Sequence, residues 1–179
     1  MARITLSEND YFKKIEKKSA SLFKAACQCG AIAANGSPSE NNALRLFGEN
    51  YGVAYQIRDD ILDVEASKND VQPDVGKFRS TLPIIQLFES EDKENRKLLE
   101  GLFASKTKVS PRSFLNALTL NLEKSGSLIY CASKVDLYVD KAIDSLCSLK
   151  ESIFKEYLIE MAEGLRIKQP KCGSQKIYL

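Results

Sequence analysis

From Ser37 to about Glu65 the chain carries apolar residues at helical spacing. This stretch closes on Tyr55-Gln56-Ile57-Arg58-Asp59-Asp60-Ile61-Leu62-Asp63, which crowds carboxylates onto an element that must be largely buried. On a helix, Gln56, Asp59, Asp60 and Asp63 fall within an arc of roughly 100°, and Asp59 and Asp63 lie about 6 Å apart along the axis. Leu44, Phe47, Tyr51, Ala54, Ile57, Ile61 and Leu62 form the opposite, apolar side. Carboxylates grouped beside a core repel one another and cost several kcal/mol unless a cation or hydrogen-bond donors compensate. Mg2+ is the natural partner, because it takes oxygen ligands and is commonly shared between one or two carboxylates and substrate phosphates. Gly48, Glu49 and Gly52 lie on or beside the same stripe, which shows no Lys or Arg positioned for the i,i+4 pairs of a solvated surface. Each glycine costs about 1 kcal/mol inside a helix. Two of them one turn apart therefore point to a close approach, by a neighbouring helix or a slender ligand.

The 179 residues suffice for a single domain, 1–179, with a substantial core. A net charge of +2, from 26 basic and 24 acidic residues, gives no excess that calls for nucleic acid or an anionic membrane. No apolar run approaches the roughly 18 residues of a membrane span, and Met1 to Ser7 has no apolar core of a signal peptide. Five cysteines without repeated metal-ligand spacing read as reduced thiols, and the expected compartment is the cytoplasm. Cys27 and Cys29 alone are too few for a structural zinc site. There is no histidine, which excludes His-based triads, His metal sites and imidazole acid-base chemistry.

Taken in order, Ser7 and Asp10 open a helix through Tyr11, Phe12, Ile15, Leu22, Phe23 and Ala26, which Asn35-Gly36 ends. Ser37-Pro38-Ser39-Glu40 is a strong start signal for the carboxylate-bearing helix. Residues 66–80 read as a polar loop placed to cover a ligand, with Lys68, Lys77 and Arg79 supplying positive charge. Thr81-Leu82-Pro83 begins a further helix that is predicted to bend through a charged middle, Glu89 to Lys97, before Leu98, Leu99, Leu102 and Phe103. Ser110-Pro111 opens another helix to about Lys124. Ser125-Gly126-Ser127 precedes one with apolar positions 128, 132, 135, 139, 142, 146 and 149, and a last helix spans about Ser152 to Ile167. No strand alternation competes, so the fold class is all-α, a helical bundle.

At these residues the chain resembles the C-terminal half of the trans-isoprenyl diphosphate synthase, or polyprenyl synthase, family. Gly52-Val53-Ala54-Tyr55-Gln56-Ile57-Arg58-Asp59-Asp60-Ile61-Leu62-Asp63 is similar to that family's second aspartate-rich motif. Thr81-Leu82-Pro83-Ile84-Ile85 follows a polar loop as in the family, and Lys18-Ser19-Ala20 resembles its Lys-Thr-Ala. Ser125-Gly126-Ser127 before a long helix, and Leu165-Arg166-Ile167-Lys168, extend the similarity along nearly the whole chain.

The resemblance implies the C-terminal part of the isoprenoid synthase fold. It also implies Mg2+ ions bridging aspartates to the diphosphate of an allylic substrate, whose cation is attacked by isopentenyl diphosphate. Carried over by position, Asp59, Asp60 and Asp63 are metal residues, and Lys18, Ser19 and Gln56 contact the allylic substrate. Asp74 falls on the family's loop aspartate and Arg79 on its second loop lysine. Asp70 reverses the charge of the first loop lysine, for which Lys77 or Lys68 substitutes, so that Lys18, Lys77 and Arg79 are the expected diphosphate-binding residues. The sequence contains neither a first aspartate-rich motif with paired arginines nor a Gly-Gly-Lys-type segment for isopentenyl diphosphate. The implied chain is therefore one half or subunit of a synthase, inactive alone, in a homo- or hetero-oligomer with a chain that supplies the first motif. The alternative expectation is an inactive homologue serving as a regulatory or structural partner of a complete synthase.

Overall fold

The computed structural model describes residues 7–67, 80–104 and 110–167, and no strand occurs among them. The helices are α1 (Glu8–Ile15), α2 (Ser21–Ala33), α3 (Pro38–Ser67), α4 (Leu82–Ser90), α5 (Lys93–Ala104), α6 (Pro111–Lys124), α7 (Ser127–Ser145) and α8 (Ile153–Glu163). A π-helical turn, Glu16–Ala20, joins α1 directly to α2. None of the described helices is long and apolar enough to cross a membrane. Lys68, Asp70, Asp74, Lys77 and Arg79 lie outside the described residues.

Local chemistry fixes the helix starts. The Ser7 hydroxyl accepts from the Asp10 N–H at 3.2 Å and donates to the Asp10 carboxylate at 2.7 Å. At α3 the capping box closes in both directions: the Glu40 N–H reaches Ser37 Oγ at 3.3 Å, and the Ser37 N–H reaches Glu40 Oε2 at 2.8 Å. Asn35, at φ 54°, turns the chain between α2 and α3 in the left-handed region that asparagine tolerates. The charged stretch after α4 does not bend one helix but separates two. Glu91 is extended, and Asp92 Oδ1 accepts from the N–H groups of Glu94 and Asn95 at 2.9 Å to start α5 afresh. The last two helices are shorter than their apolar spacing suggests, ending at Ser145 and Glu163.

Helix α3 is the axis of the bundle, with α7 along one side and the π turn and α2 along another. Phe47, Ala54, Ile57 and Ile61 of α3 meet Tyr11, Ile15, Ala20, Leu82, Cys131, Val135 and Val139 in one buried cluster. A second cluster, built from Ile84, Leu87, Phe88, Leu99, Phe103, Phe114, Leu118 and Leu122, ties α4, α5 and α6 together beyond Val64. Leu62, expected in the core, is 38% exposed, because the apolar arc of α3 is narrower at its C-terminal end.

The glycines answer to a neighbouring helix. A Cβ on Gly52 would stand 2.6 Å from Ala20 Cα, and one on Gly48 would stand 2.5 Å from the Phe23 carbonyl oxygen. The partner atoms are backbone, so no side-chain rotation relieves the clash. Gly52→Ala is expected to cost about 1–3 kcal/mol, net of improved helix propensity, lowering Tm by roughly 2–4 °C per kcal/mol. Gly30→Ala, where a Cβ meets nothing within 4 Å, is expected to be neutral or stabilising by up to about 1 kcal/mol. Thermal melts of the two variants check this, and a Gly52→Ala protein as stable as wild type would show that the helices have room to spare.

Candidate active site

The π turn bulges an extra residue into the junction of α1 and α2, with the Ser21 N–H bonding back to the Glu16 carbonyl. It lets two successive side chains face α3. Ala20 is buried against Gly52, while the Ser19 hydroxyl donates to Gln56 Oε1 at 2.6 Å. Such insertions recur at functional sites. Here the insertion leaves Lys18 exposed at the same level as the Ser19–Gln56 pair.

From Gln56 the polar chain runs inward. Gln56 Nε2 donates to Asp60 Oδ1 at 3.0 Å, and Asp60 Oδ2 accepts from the Tyr11 hydroxyl at 2.8 Å and the Leu82 N–H at 3.1 Å. The Gln56 amide orientation is set by this chain, because the opposite flip would aim its carbonyl at a carboxylate. Leu82 is the first residue of α4, whose N-cap Thr81 makes no side-chain capping bond, so a carboxylate from α3 serves the orphaned donor and faces the positive end of the helix dipole. Burial pushes the Asp60 carboxyl above the usual carboxylate range; the bonds from Tyr11, Leu82 and Gln56 pull against that, and the Asp59 charge adds to it. Burial, and then the neighbouring Asp60 charge, push the Tyr11 phenol far up, which fixes Tyr11 as a donor.

The carboxylates therefore do not share one face. Asp60 is buried at 6% exposure with both oxygens occupied, whereas Asp59 and Asp63 are exposed, one turn apart. Among the described residues neither the Asp59 nor the Asp63 carboxylate has a hydrogen-bond or ion-pair partner, and no group of three or more acidic or thiol side chains is gathered for a metal ion. A pair of exposed carboxylates at i,i+4 nevertheless suits Mg2+, which keeps several waters and completes its shell with substrate phosphate oxygens. Glu49 does not belong to this surface. It pairs with Arg45 at 3.0 Å and Lys24 at 3.3 Å, so the stripe does carry an i,i+4 ion pair at its N-terminal end. On the other side of the site, Lys14 Nζ reaches Ser80 Oγ at 3.2 Å and holds the residue that leads into α4.

Sequence reasoning singled out Lys18, Ser19, Gln56, Asp59, Asp60 and Asp63, and the structure gathers them around one stretch of α3. It missed Tyr11, read only as part of an apolar helix face. A buried tyrosine needs a partner for its hydroxyl, and that need is the signal that could have flagged it.

A sequence model of the polyprenyl synthetase family matches residues 1–119. The octaprenyl diphosphate synthase of Escherichia coli K12 is 29% identical over 161 residues, which are 88% of this chain and 49% of that protein. Component 2 of the heptaprenyl diphosphate synthase of Bacillus subtilis is 26% identical over 157 residues, 86% of this chain and 43% of that protein. The crystal structure of a polyprenyl synthase from Caulobacter crescentus CB15, complexed with calcium and isoprenyl diphosphate, superposes with a TM-score of 0.79 at 26% identity, covering 91% of this chain and 50% of that one. The chain thus spans about half the length of the curated relatives it matches. With an all-α bundle of the isoprenoid synthase fold and this match over most of its residues, the chain belongs to the polyprenyl synthetase family.

Proposed function

We propose that this chain contributes the second aspartate cluster to a Mg2+-dependent trans-prenyl diphosphate synthase, which condenses isopentenyl diphosphate with an allylic diphosphate. The observation that carries the reading is the division of labour on α3: Asp60 is committed to the fold, and Asp59 and Asp63 are left exposed together. Bound Mg2+ supplies positive charge that offsets the charge developing on a departing diphosphate. Lys18, exposed and next in sequence to Ser19, is a further cation for the diphosphate, and Lys77 and Arg79, outside the described residues, are the expected others. Ser19 and Gln56 hold their hydroxyl and amide groups in a fixed relation to one another and so shape the allylic side of the site. The roles of Asp59 and Asp63 as metal residues are supported by hard oxygen donors at the spacing Mg2+ accepts and by the calcium and isoprenyl diphosphate held by the Caulobacter relative. Asp60, in this reading, acts from inside the helix bundle.

The sequence carries no first aspartate-rich motif, and the remaining ligands come from another polypeptide segment. The Bacillus relative is named as a component of its synthase, so a synthase of more than one component occurs among the relatives, although that component extends well beyond the part this chain matches. In this reading the first aspartate cluster and the seat for isopentenyl diphosphate lie on a further polypeptide segment, supplied in the tests below as a partner chain.

The test uses the chain itself with Mg2+ and inorganic pyrophosphate. A ligand that binds the native state alone raises stability by about 2.7 kcal/mol at a hundredfold excess over Kd. The wild-type melt is expected to shift upward only when both are present, and the Asp59→Ala, Asp63→Ala protein is expected to lose the shift. An equal shift in that variant would place the binding elsewhere.

A further inference from the structure

We infer that Tyr11, which lies outside every motif of the chain, is a positioning residue for Ser19 and Gln56, the groups read above as contacts for the allylic diphosphate, acting on them through the buried Asp60 carboxylate. The inference rests on the functional reading above and extends it to a residue seven positions before Lys18.

The geometry allows little slack. Tyr11 is 1% exposed, with its ring edge-on to Phe12 at 5.5 Å between centroids, so the hydroxyl cannot swing to water. Asp60 Oδ2 is shared between that hydroxyl and the Leu82 N–H, which leaves Oδ1 as the acceptor for Gln56 Nε2. Gln56 in turn presents Oε1 to Ser19. Each link fixes the next: two donors on Oδ2 set the rotation of the carboxylate, the carboxylate sets the amide plane, and the amide sets the serine hydroxyl. Without the phenol, Oδ2 keeps one donor, and the carboxylate can turn towards the Leu82 N–H alone. Gln56 then loses its directed acceptor, and Ser19 loses a preoriented one. Sites whose supporting shell is loosened in this way lose the geometry that makes binding productive.

A second phenol on α1's surroundings provides the control. Tyr130 on α7 donates to the Glu8 carboxylate at 2.7 and 2.9 Å, a hydrogen bond that also ties α1 to the bundle but has no link to Asp60 or Gln56. Removing either hydroxyl loosens α1, and only one of them belongs to the chain that reaches Ser19.

The experiment is isothermal titration calorimetry of the whole chain with Mg2+ and inorganic pyrophosphate, well below the melting temperature of every variant. Tyr11→Phe keeps the ring and its packing, and is expected to weaken binding about 3–10-fold, the worth of one ordinary hydrogen bond, because the phenol acts on the ligand's contacts and not on the ligand. Ser19→Ala is expected to weaken it similarly, and the double variant to bind no worse than about the weaker single, because both changes break one chain. Tyr130→Phe is expected to lower Tm while leaving Kd unchanged. Wild-type affinity in Tyr11→Phe, losses that multiply in the double variant, or an equal loss in Tyr130→Phe would each overturn the positioning role. If the wild type binds pyrophosphate no better than Asp59→Ala does, the functional reading fails and takes this inference with it; if only the Tyr11 variants fail to respond, the functional reading stands.

Discussion

Asp60→Ala is expected to destabilise the chain by about 3–5 kcal/mol, while Asp59→Ala, one residue away, changes stability by no more than about 0.5 kcal/mol. The contrast follows from what each carboxylate touches. Deleting Asp60 strands a buried tyrosine hydroxyl, the first N–H of α4 and the Gln56 amide, each of which loses its acceptor. A buried donor left unsatisfied costs about 1–3 kcal/mol, and a small cavity adds to it. Against a typical total of about 5–15 kcal/mol, that is a large share of the stability of a domain. Asp59 is exposed, and its removal leaves no buried group without a partner. Urea denaturation of the two variants, with comparable m values, reads the difference directly. Similar midpoints for both would mean that water or another group can replace Asp60.

The second large effect is catalytic. In a synthase assembled from this chain and a partner bearing the first aspartate cluster, Asp59→Ala is expected to lower prenyl transfer by 100-fold or more, on the order of what one preorganised electrostatic element contributes to a transition state. The 179-residue chain by itself is expected to show no useful transfer, because several such elements, the opposing aspartates and the seat of the second substrate, are absent from its sequence together. The effect falls on turnover, while the folded state of the Asp59 variant remains intact. That separates it from the Asp60 variant, in which activity is lost because the fold is.

The starts of α3 and α6 were legible because Ser37, Glu40 and Ser110 are strong capping residues, and the glycine pair was legible as a close approach. The choice between a helix and a ligand as the approaching body was not, since it depends on where Ala20 and Phe23 sit in space. The π turn was invisible for a different reason. Tyr11, Phe12, Ile15, Leu22 and Phe23 fall on one face of an ordinary helix, and only the buried step from Ile15 to Ala20, five residues where three or four are usual, betrays the added residue that decides that Ser19 meets Gln56. Asp59, Asp60 and Asp63 do share one arc of α3, but an angular range cannot say which edge of it is covered. Tyr11 and the start of α4 cover the Asp60 edge, and both come from segments distant in sequence. The break at Glu91–Asp92 was legible as charge but not as a stop, because a helix and a helix pair share the same polar middle.

The most direct test of the divided site is transfer of radiolabelled isopentenyl diphosphate to geranyl or farnesyl diphosphate, measured with Mg2+ for the purified chain, for a partner chain carrying the first aspartate cluster, and for the two mixed. The predicted result is elongation only in the mixture, dependent on Mg2+ and abolished by Asp59→Ala. Robust elongation by the purified chain alone, or elongation in the mixture that survives Asp59→Ala together with Asp63→Ala, would contradict it.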